Sequence, residues 1–196
     1  MSYQWDVFLS YPRSQQVLPW IEKHFLPLLQ GQLENLLDYE PKIFVDFAQA
    51  TGVRWPNNIR DALLRSRVMV AIWTPPYFRS DWCMAEWESM LEREKYLYDS
   101  GVIQAKGLVY PVVFSDGKNF HPRAKDTMHK DLSHLNYRHD CFRDSPKYLE
   151  FDDAIRAIAE ELEGHISAAP NWNSAFPIIN PDDVGIMNTS IKLPRL

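Results

Sequence analysis

Six consecutive apolar residues, Val68 to Trp73, constrain the fold of this chain more than any other feature. The run is far shorter than the ~18 apolar residues of a membrane span. It is followed by Thr74-Pro75-Pro76, which ends a regular element. A short, wholly apolar run of this kind is typical of a strand that is buried on both faces of a parallel sheet.

Further apolar runs alternate with segments of helical periodicity along the chain. The pattern predicts strands at 6–11, 43–46 and 107–114, and helices at 17–37, 57–66, 81–98 and 151–166. We expect Pro27 to kink the first helical run or to end its first helix. The alternation predicts an α/β fold around a central parallel sheet.

Two segments fit this alternation poorly. Residues 118–137 are polar and predicted to be irregular. Residues 168–196 lose helical periodicity and are rich in proline, so we divide the chain into a domain at 1–167 and an extended C-terminal arm at 168–196. The arm could lie on its own domain, on a neighbouring copy or on a partner, or it could be a partly disordered tail.

Charge and cysteine content exclude several classes of protein. The net charge of −5 offers no basic field for long nucleic-acid contacts. Two cysteines, Cys83 and Cys141, cannot form a disulfide framework. Since the first residues also lack a signal-peptide pattern, we expect a cytoplasmic protein with reduced thiols, without a membrane or direct nucleic-acid partner.

The segment around Glu86 carries the main candidate for chemistry. Ser80 or Asp81 is a good helix N-cap, and Trp82 and Glu86, four residues apart, share one face of the helix that follows. A carboxylate at the border of an apolar face can be partly desolvated, which suits a reaction whose transition state gains positive charge on a sugar ring. The alternative, a solvated glutamate on an exposed helix face, remains open.

Residues at the ends of the predicted strands are candidates for binding. In parallel sheets, ligands sit beyond the carboxyl ends of the strands. There the chain places an aromatic ring and a guanidinium, which could contact a nucleotide, although ordinary surface turns use the same residues. The residues concerned are Ser10, Tyr11, Arg13 and Asp46. The loop 47–55 contains one more candidate for binding, Trp55, and a single glycine, Gly52.

Metal-binding and nucleophilic chemistry are not favoured. His129, His134 and His139 are five residues apart, and together with Cys141 they fit no zinc-site pattern, so we expect no metal site. The chain has no Gly-x-Ser-x-Gly elbow, and Cys83 has no evident histidine partner.

The sequence resembles a TIR (Toll/interleukin-1 receptor) domain of the bacterial NADase type. The resemblance rests on an ordered set of motifs over about residues 3–166, ending in a Trp-x-x-x-Glu pattern after the third strand. The motifs are Asp6-Val7-Phe8-Leu9-Ser10-Tyr11, Phe44-Val45-Asp46, Pro75-Pro76-Tyr77-Phe78, Ser80-Asp81-Trp82-Cys83-Met84-Ala85-Glu86 and Tyr110-Pro111-Val112-Val113.

This resemblance implies a flavodoxin-like three-layer sandwich with a central parallel sheet. It implies cleavage of NAD+ at the nicotinamide–ribose bond, giving nicotinamide and ADP-ribose or a cyclic isomer, with NAD+ as substrate and no cofactor. Glu86 is then the catalytic residue. Ser10, Tyr11, Arg13, Asp46, Trp55 and Trp82 are then the substrate-binding residues.

The resemblance also implies partners. We expect homo-oligomers through TIR–TIR contacts, a role as a bacterial immune or anti-phage effector, and an activating protein or filament docked on the arm. The alternatives are a non-catalytic adaptor that only assembles, and a sensor that binds the nucleotide without cleaving it. One departure from the family is Thr51-Gly52-Val53 in place of the usual Pro-Gly pair of the BB loop, the loop after the second strand.

Overall fold

The computed structural model describes residues 2–47, 57–102, 107–115, 120–125 and 127–184. Its centre is a five-stranded sheet of order β2-β1-β3-β4-β5, in which every paired strand is parallel. The α/β fold with a central parallel sheet is therefore confirmed. The strands are β1 (Trp5–Ser10), β2 (Ile43–Val45), β3 (Ser66–Trp73), β4 (Val109–Val113) and β5 (Lys130–Asp131).

The strand order creates a crevice at one edge of the sheet. The chain passes from β1 outward to β2 and then returns to β3 on the other side of β1. Leu9 pairs with Val45 on one side and with Val70 on the other, so the carboxyl ends of the three strands lie side by side. Such a switch point in strand order is where open α/β sheets bind ligands.

Helices cover both faces of the sheet. They are α1 (Val17–Trp20), α2 (Leu26–Leu36), α3 (Asn57–Leu64), α4 (Asp81–Asp99), α5 (Pro122–Lys125) and α6 (Lys147–Ser167). None of the helices in the described ranges has the length and apolar composition needed to cross a bilayer.

Strand alternation divides the core into two clusters. Successive side chains of a strand point to opposite faces. Val68, Val70 and Ile72 of β3 therefore pack with α1, α2 and α6, whereas Met69 and Trp73 pack with α3 and α4. The result is three layers, and the second cluster brings α4 against the strands that border the crevice.

The first helical run changes its winding before Pro27. Residues Ile21–Phe25 form a π-helical turn between α1 and α2, and Pro27 lies in the first turn of α2. Proline has no N–H to offer the carbonyl four residues earlier, that of Lys23. The Arg143 guanidinium donates to that carbonyl instead (2.6 Å). The predicted interruption at Pro27 thus takes the form of a π-turn with a side chain completing its hydrogen bonds.

Other predicted boundaries need correction. The irregular segment 118–137 contains α5 and the two-residue strand β5. The last helix begins at Lys147 rather than near 151. The predicted helix 57–66 ends at Leu64, because Ser66 already pairs with Trp5 as the first residue of β3.

Part of the C-terminal arm lies on its own domain. Phe176 and Val184 are buried in the core cluster that contains α3 and α4. The backbone N–H of Ile179 donates to Ser89 Oγ on α4 (2.8 Å). Residues 185–196 are outside the described residues.

Helix α2 offers a matched test of the core. Leu33 is fully buried, whereas Leu36 on the same helix is 40% exposed. We expect Leu33→Ala to lower the free energy of unfolding by about 2–5 kcal/mol, because it removes buried methyl groups and leaves a cavity. Leu36→Ala should lower it by less than about 1 kcal/mol. Urea denaturation followed by tryptophan fluorescence measures both, and equal effects would contradict this packing.

Candidate functional site

Glu86 lies in the second turn of α4, and the start of that helix is fixed by its cap. Ser80 is the N-cap, and its Oγ accepts a hydrogen bond from the backbone N–H of Cys83 (3.3 Å). From this start, residues 83–87 face the core, and Glu86 is only 8% exposed. Glu86 is therefore a buried carboxylate, and the alternative of a solvated helix-face glutamate is wrong.

A hydroxyl group at the edge of the sheet bonds this carboxylate, and a second hydroxyl bonds the first. Ser10, the last residue of β1, donates to Glu86 Oε2 (2.6 Å). Tyr77 follows β3 in the chain, and its hydroxyl lies 2.9 Å from Ser10 Oγ. Among the described residues, the second carboxylate oxygen of Glu86 has no hydrogen-bond partner. That oxygen is available to a ligand.

Glu86 opens into a cavity of about 380 Å³ at the switch point of the sheet. A volume of this size lies in the range of small-molecule sites, roughly 300–1,000 Å³. The walls combine a few polar groups with apolar and aromatic side chains. They are Phe8, Leu9, Tyr11, Pro12, Arg13, Asp46, Ile59, Pro76, Ser80, Trp82, Cys83 and Glu86.

The end of β1 and the end of β2 close one side of the cavity. Tyr11 donates from its hydroxyl to the backbone carbonyl of Asp46 (2.7 Å). Arg13 forms an ion pair with the Asp46 carboxylate. The Arg13 side chain keeps 43% of its surface exposed, so the guanidinium lies at the mouth with donors still facing water.

Trp82 lines the cavity one helical turn before Glu86 and is partly buried against the α3–α4 cluster. The structure thus brings together Tyr11, Arg13, Asp46, Trp82 and Glu86 as cavity walls, with Ser10 behind the carboxylate. The predicted site residue Trp55 lies outside the described residues. Its place in the site stays a prediction.

Burial sets the protonation of Glu86. Removal from water raises the pKa of this carboxyl from its ordinary 4.5 to about 7. The Ser10 hydrogen bond and the Arg13 charge lower the pKa, while the Asp46 charge raises it, and burial outweighs them. Near neutral pH the group is therefore divided between the acid and the carboxylate.

Two buried groups near Glu86, the Cys83 thiol and the Tyr77 phenol, stay neutral. Burial raises the pKa of the Cys83 thiol and of the Tyr77 phenol well above their ordinary values. A buried, protonated thiol is a poor nucleophile. Of these three buried groups, Glu86 is therefore the one that changes its protonation near neutral pH.

Tyr77 was not among the predicted site residues. Its signal in the sequence is its place directly after the Pro-Pro that ends β3, at the carboxyl edge of the sheet. Only the fold shows that its hydroxyl reaches Ser10, 67 residues earlier.

The histidine-rich segment forms no comparable site. His134 pairs with Glu150 (3.0 Å), and the His129 ring lies against Trp73. Within the ranges given above, no three His, Cys, Asp or Glu side chains are grouped closely enough to hold a metal ion.

Comparison with known proteins identifies the family. The sequence model of the TIR domain matches residues 7–145, which is more than half of the chain. The chain therefore belongs to the TIR domain family. No match was found among curated proteins.

Two solved structures are similar. One is the TIR domain of the Toll-related receptor TRR-2 from Hydra magnipapillata, with 16% identity, a TM-score of 0.47, and coverage of 77% of this chain and 98% of that chain. Another is the TIR domains of the activated Roq1 resistosome, which directly recognises the pathogen effector XopQ. It has 17% identity, a TM-score of 0.38, and coverage of 96% and 99%.

The raised pKa of Glu86 predicts a pH-dependent stability. Between about pH 4.5 and 7 the folded chain binds more protons than the unfolded chain, so stability falls as the pH rises through this window. We expect Glu86→Gln, which carries no charge to bury, to be more stable than the parent above pH 7 by up to about 3 kcal/mol. The difference should nearly vanish below pH 4.5.

Glu92→Gln is the matched control, because Glu92 lies on the same helix with 43% of its side chain exposed. Urea denaturation at pH 4.5 and pH 8 measures both variants. A Glu86→Gln advantage that is equal at the two pH values would contradict the buried, proton-binding carboxyl.

Proposed function

We propose that this TIR domain is an NAD+ glycohydrolase that cleaves the nicotinamide–ribose bond. One observation carries the proposal: the buried Glu86 carboxylate faces a cavity of about 380 Å³, with one oxygen held by Ser10 and the other directed to no described partner.

The reaction needs a negative charge at one place. When the bond between the ribose and nicotinamide breaks, its electron pair leaves with the ring nitrogen and nicotinamide becomes neutral. Positive charge develops on the ribose, and a fixed carboxylate in a site of low dielectric stabilises it strongly. Glu86 does so through the sugar hydroxyls. A water molecule then bonds to the ribose and loses its proton, giving ADP-ribose, whereas capture by the adenine ring gives a cyclic isomer.

The remaining wall residues bind the rest of the dinucleotide. Arg13, at the mouth, donates to the pyrophosphate, for which a guanidinium is well suited. Tyr11 and Trp82 offer ring faces, and the Asp46 carboxylate holds Arg13 in place. Ser10 fixes the rotamer of Glu86. Trp55, by the family resemblance, completes the site from the loop after β2.

Binding of NAD+ favours the ionised form of Glu86. The nicotinamide ring of NAD+ is cationic, and a positive charge beside a carboxyl lowers its pKa. The free protein therefore has Glu86 partly protonated near pH 7, whereas the complex favours the carboxylate that the reaction needs.

The proposal includes assembly and context. Activity depends on TIR–TIR contacts in a homo-oligomer within the cytoplasm, where the enzyme acts as a bacterial immune or anti-phage effector. An activating protein or filament docks through the C-terminal arm. Residues 173–184 of this arm contact α4 of the same chain.

Nicotinamide release tests the activity. The 196-residue chain is incubated with NAD+ at increasing protein concentration and at high density on a surface. Glu86→Gln should lower kcat/KM by about 100-fold or more, the effect of losing one preorganised charge-stabilising group. The parent's kcat/KM should rise with pH through about 7 and then level off.

Glu92→Gln again serves as the control and should retain activity within a factor of two. Full activity of Glu86→Gln would remove the assigned role. A parent that assembles but leaves NAD+ intact at every density would identify a non-catalytic adaptor instead, and NAD+ bound intact would identify a sensor.

A further inference from the structure

Arg93 is a buried cation on the helix that carries Glu86. Its side chain is fully buried, although burial lowers its pKa only to about 10, so it remains charged at neutral pH. Among the described residues no carboxylate pairs with it. The guanidinium instead donates to the carbonyls of Ser66 and Leu63 (2.9 Å each).

These two bonds tie α4 to the opposite end of the sheet from the cavity. Leu63 lies in the last turn of α3, where carbonyls lack helical partners. Ser66 is the first residue of β3. Arg93 follows Glu86 by seven residues, two helical turns or about 10 Å along the axis. The helix is thus held by Ser10 near its start and by Arg93 near its middle.

A segment of the C-terminal arm, residues 173–184, covers this anchor and is called the α4 strap below. The Phe176 ring lies 4.6 Å from the Arg93 guanidinium carbon and is itself 4% exposed. A cation over an aromatic face is stabilised most where water is excluded. Without that ring, water would reach the guanidinium and compete for its two carbonyl bonds.

The strap also bonds to α4 between the two anchor points. Ser89 Oγ accepts from the backbone N–H of Ile179 (2.8 Å) and donates to the Ala85 carbonyl (2.6 Å). Ser89 is fully buried and lies one turn beyond Glu86 on the same face of the helix. The strap therefore contacts α4 within one turn of the site.

We propose that the α4 strap is a positioning element for the site: Phe176 on Arg93 and Ile179 on Ser89 fix α4 so that Glu86 faces Ser10 and the cavity. The hydrogen bond and the ring contact of the strap are both made with α4, so the strap acts on the site through the helix. This proposal rests on the proposed function for the meaning of Glu86. Its contacts are independent of any reaction.

Three variants of the 196-residue chain, compared with the parent, test this proposal. Phe176→Ala removes the ring over Arg93, and Phe176→Tyr retains it. Tyr98→Ala removes an aromatic ring from the same helix that is 75% exposed. Each protein is assayed for nicotinamide release across pH. The change in stability that Glu86→Gln produces in each protein is also measured at pH 4.5 and pH 8.

We expect Phe176→Ala to lower kcat at least tenfold and to move the pH midpoint of kcat/KM from about 7 toward 4.5, since a displaced Glu86 meets more water. The pH-dependent advantage of Glu86→Gln should shrink by more than half when it is combined with Phe176→Ala. Phe176→Tyr and Tyr98→Ala should both keep the parent's kinetics and the parent's pH-dependent stability gain from Glu86→Gln.

The readouts separate the two proposals. Lower stability with an unchanged pH midpoint, or with an unchanged Glu86→Gln advantage, would mean that the strap only stabilises the fold, which would overturn the positioning role. If no protein releases nicotinamide while the Glu86→Gln advantage still responds to Phe176→Ala, the strap proposal stands and the glycohydrolase proposal fails.

Discussion

The site depends on one hydrogen bond between two distant parts of the chain, from Ser10 at the end of β1 to the Glu86 carboxylate on α4 (2.6 Å). Burying a carboxylate costs free energy unless other groups compensate. Ser10 and the Arg13 charge compensate only in part, because the pKa of Glu86 stays near 7. The fold therefore buries the Glu86 carboxyl, at a cost in free energy, at the point where strand order reverses. The packing of α4 against the sheet offsets that cost.

Much of the fold was predictable because its core strands are continuous apolar runs with helices between them. Val68 to Trp73 could be little else than a strand covered on both faces. What escaped prediction lacks such a signal. Lys130 and Asp131 form a strand only because β4 offers them a free edge. The first turn of α6, Lys147 to Glu150, is mostly exposed, its leucine included, so periodicity could not reveal it.

The candidate site was partly predictable for a different reason. The parallel-sheet rule places Ser10, Tyr11 and Asp46 at one edge, and the structure brings them to the cavity or beside it. The spacing of Trp82 and Glu86 predicted that they share one helix face. It could not predict how deeply the carboxylate is buried, because that depends on a contact with a residue 76 positions away. The contact of Phe176 with Arg93 has no local pattern either, since an arm without periodicity gives no sign of what it covers.

The proposed activity requires the Glu86 carboxylate to meet the ribose of NAD+. A crystal structure of the assembled chain with a carbocyclic NAD+ analogue, in which a methylene replaces the ribose ring oxygen and prevents cleavage, tests it most directly. We expect the carboxylate within hydrogen-bond distance of the sugar hydroxyls and the pyrophosphate near Arg13. An analogue that occupies another surface, or that lies in the cavity with its ribose turned away from Glu86, would contradict the proposed role of Glu86.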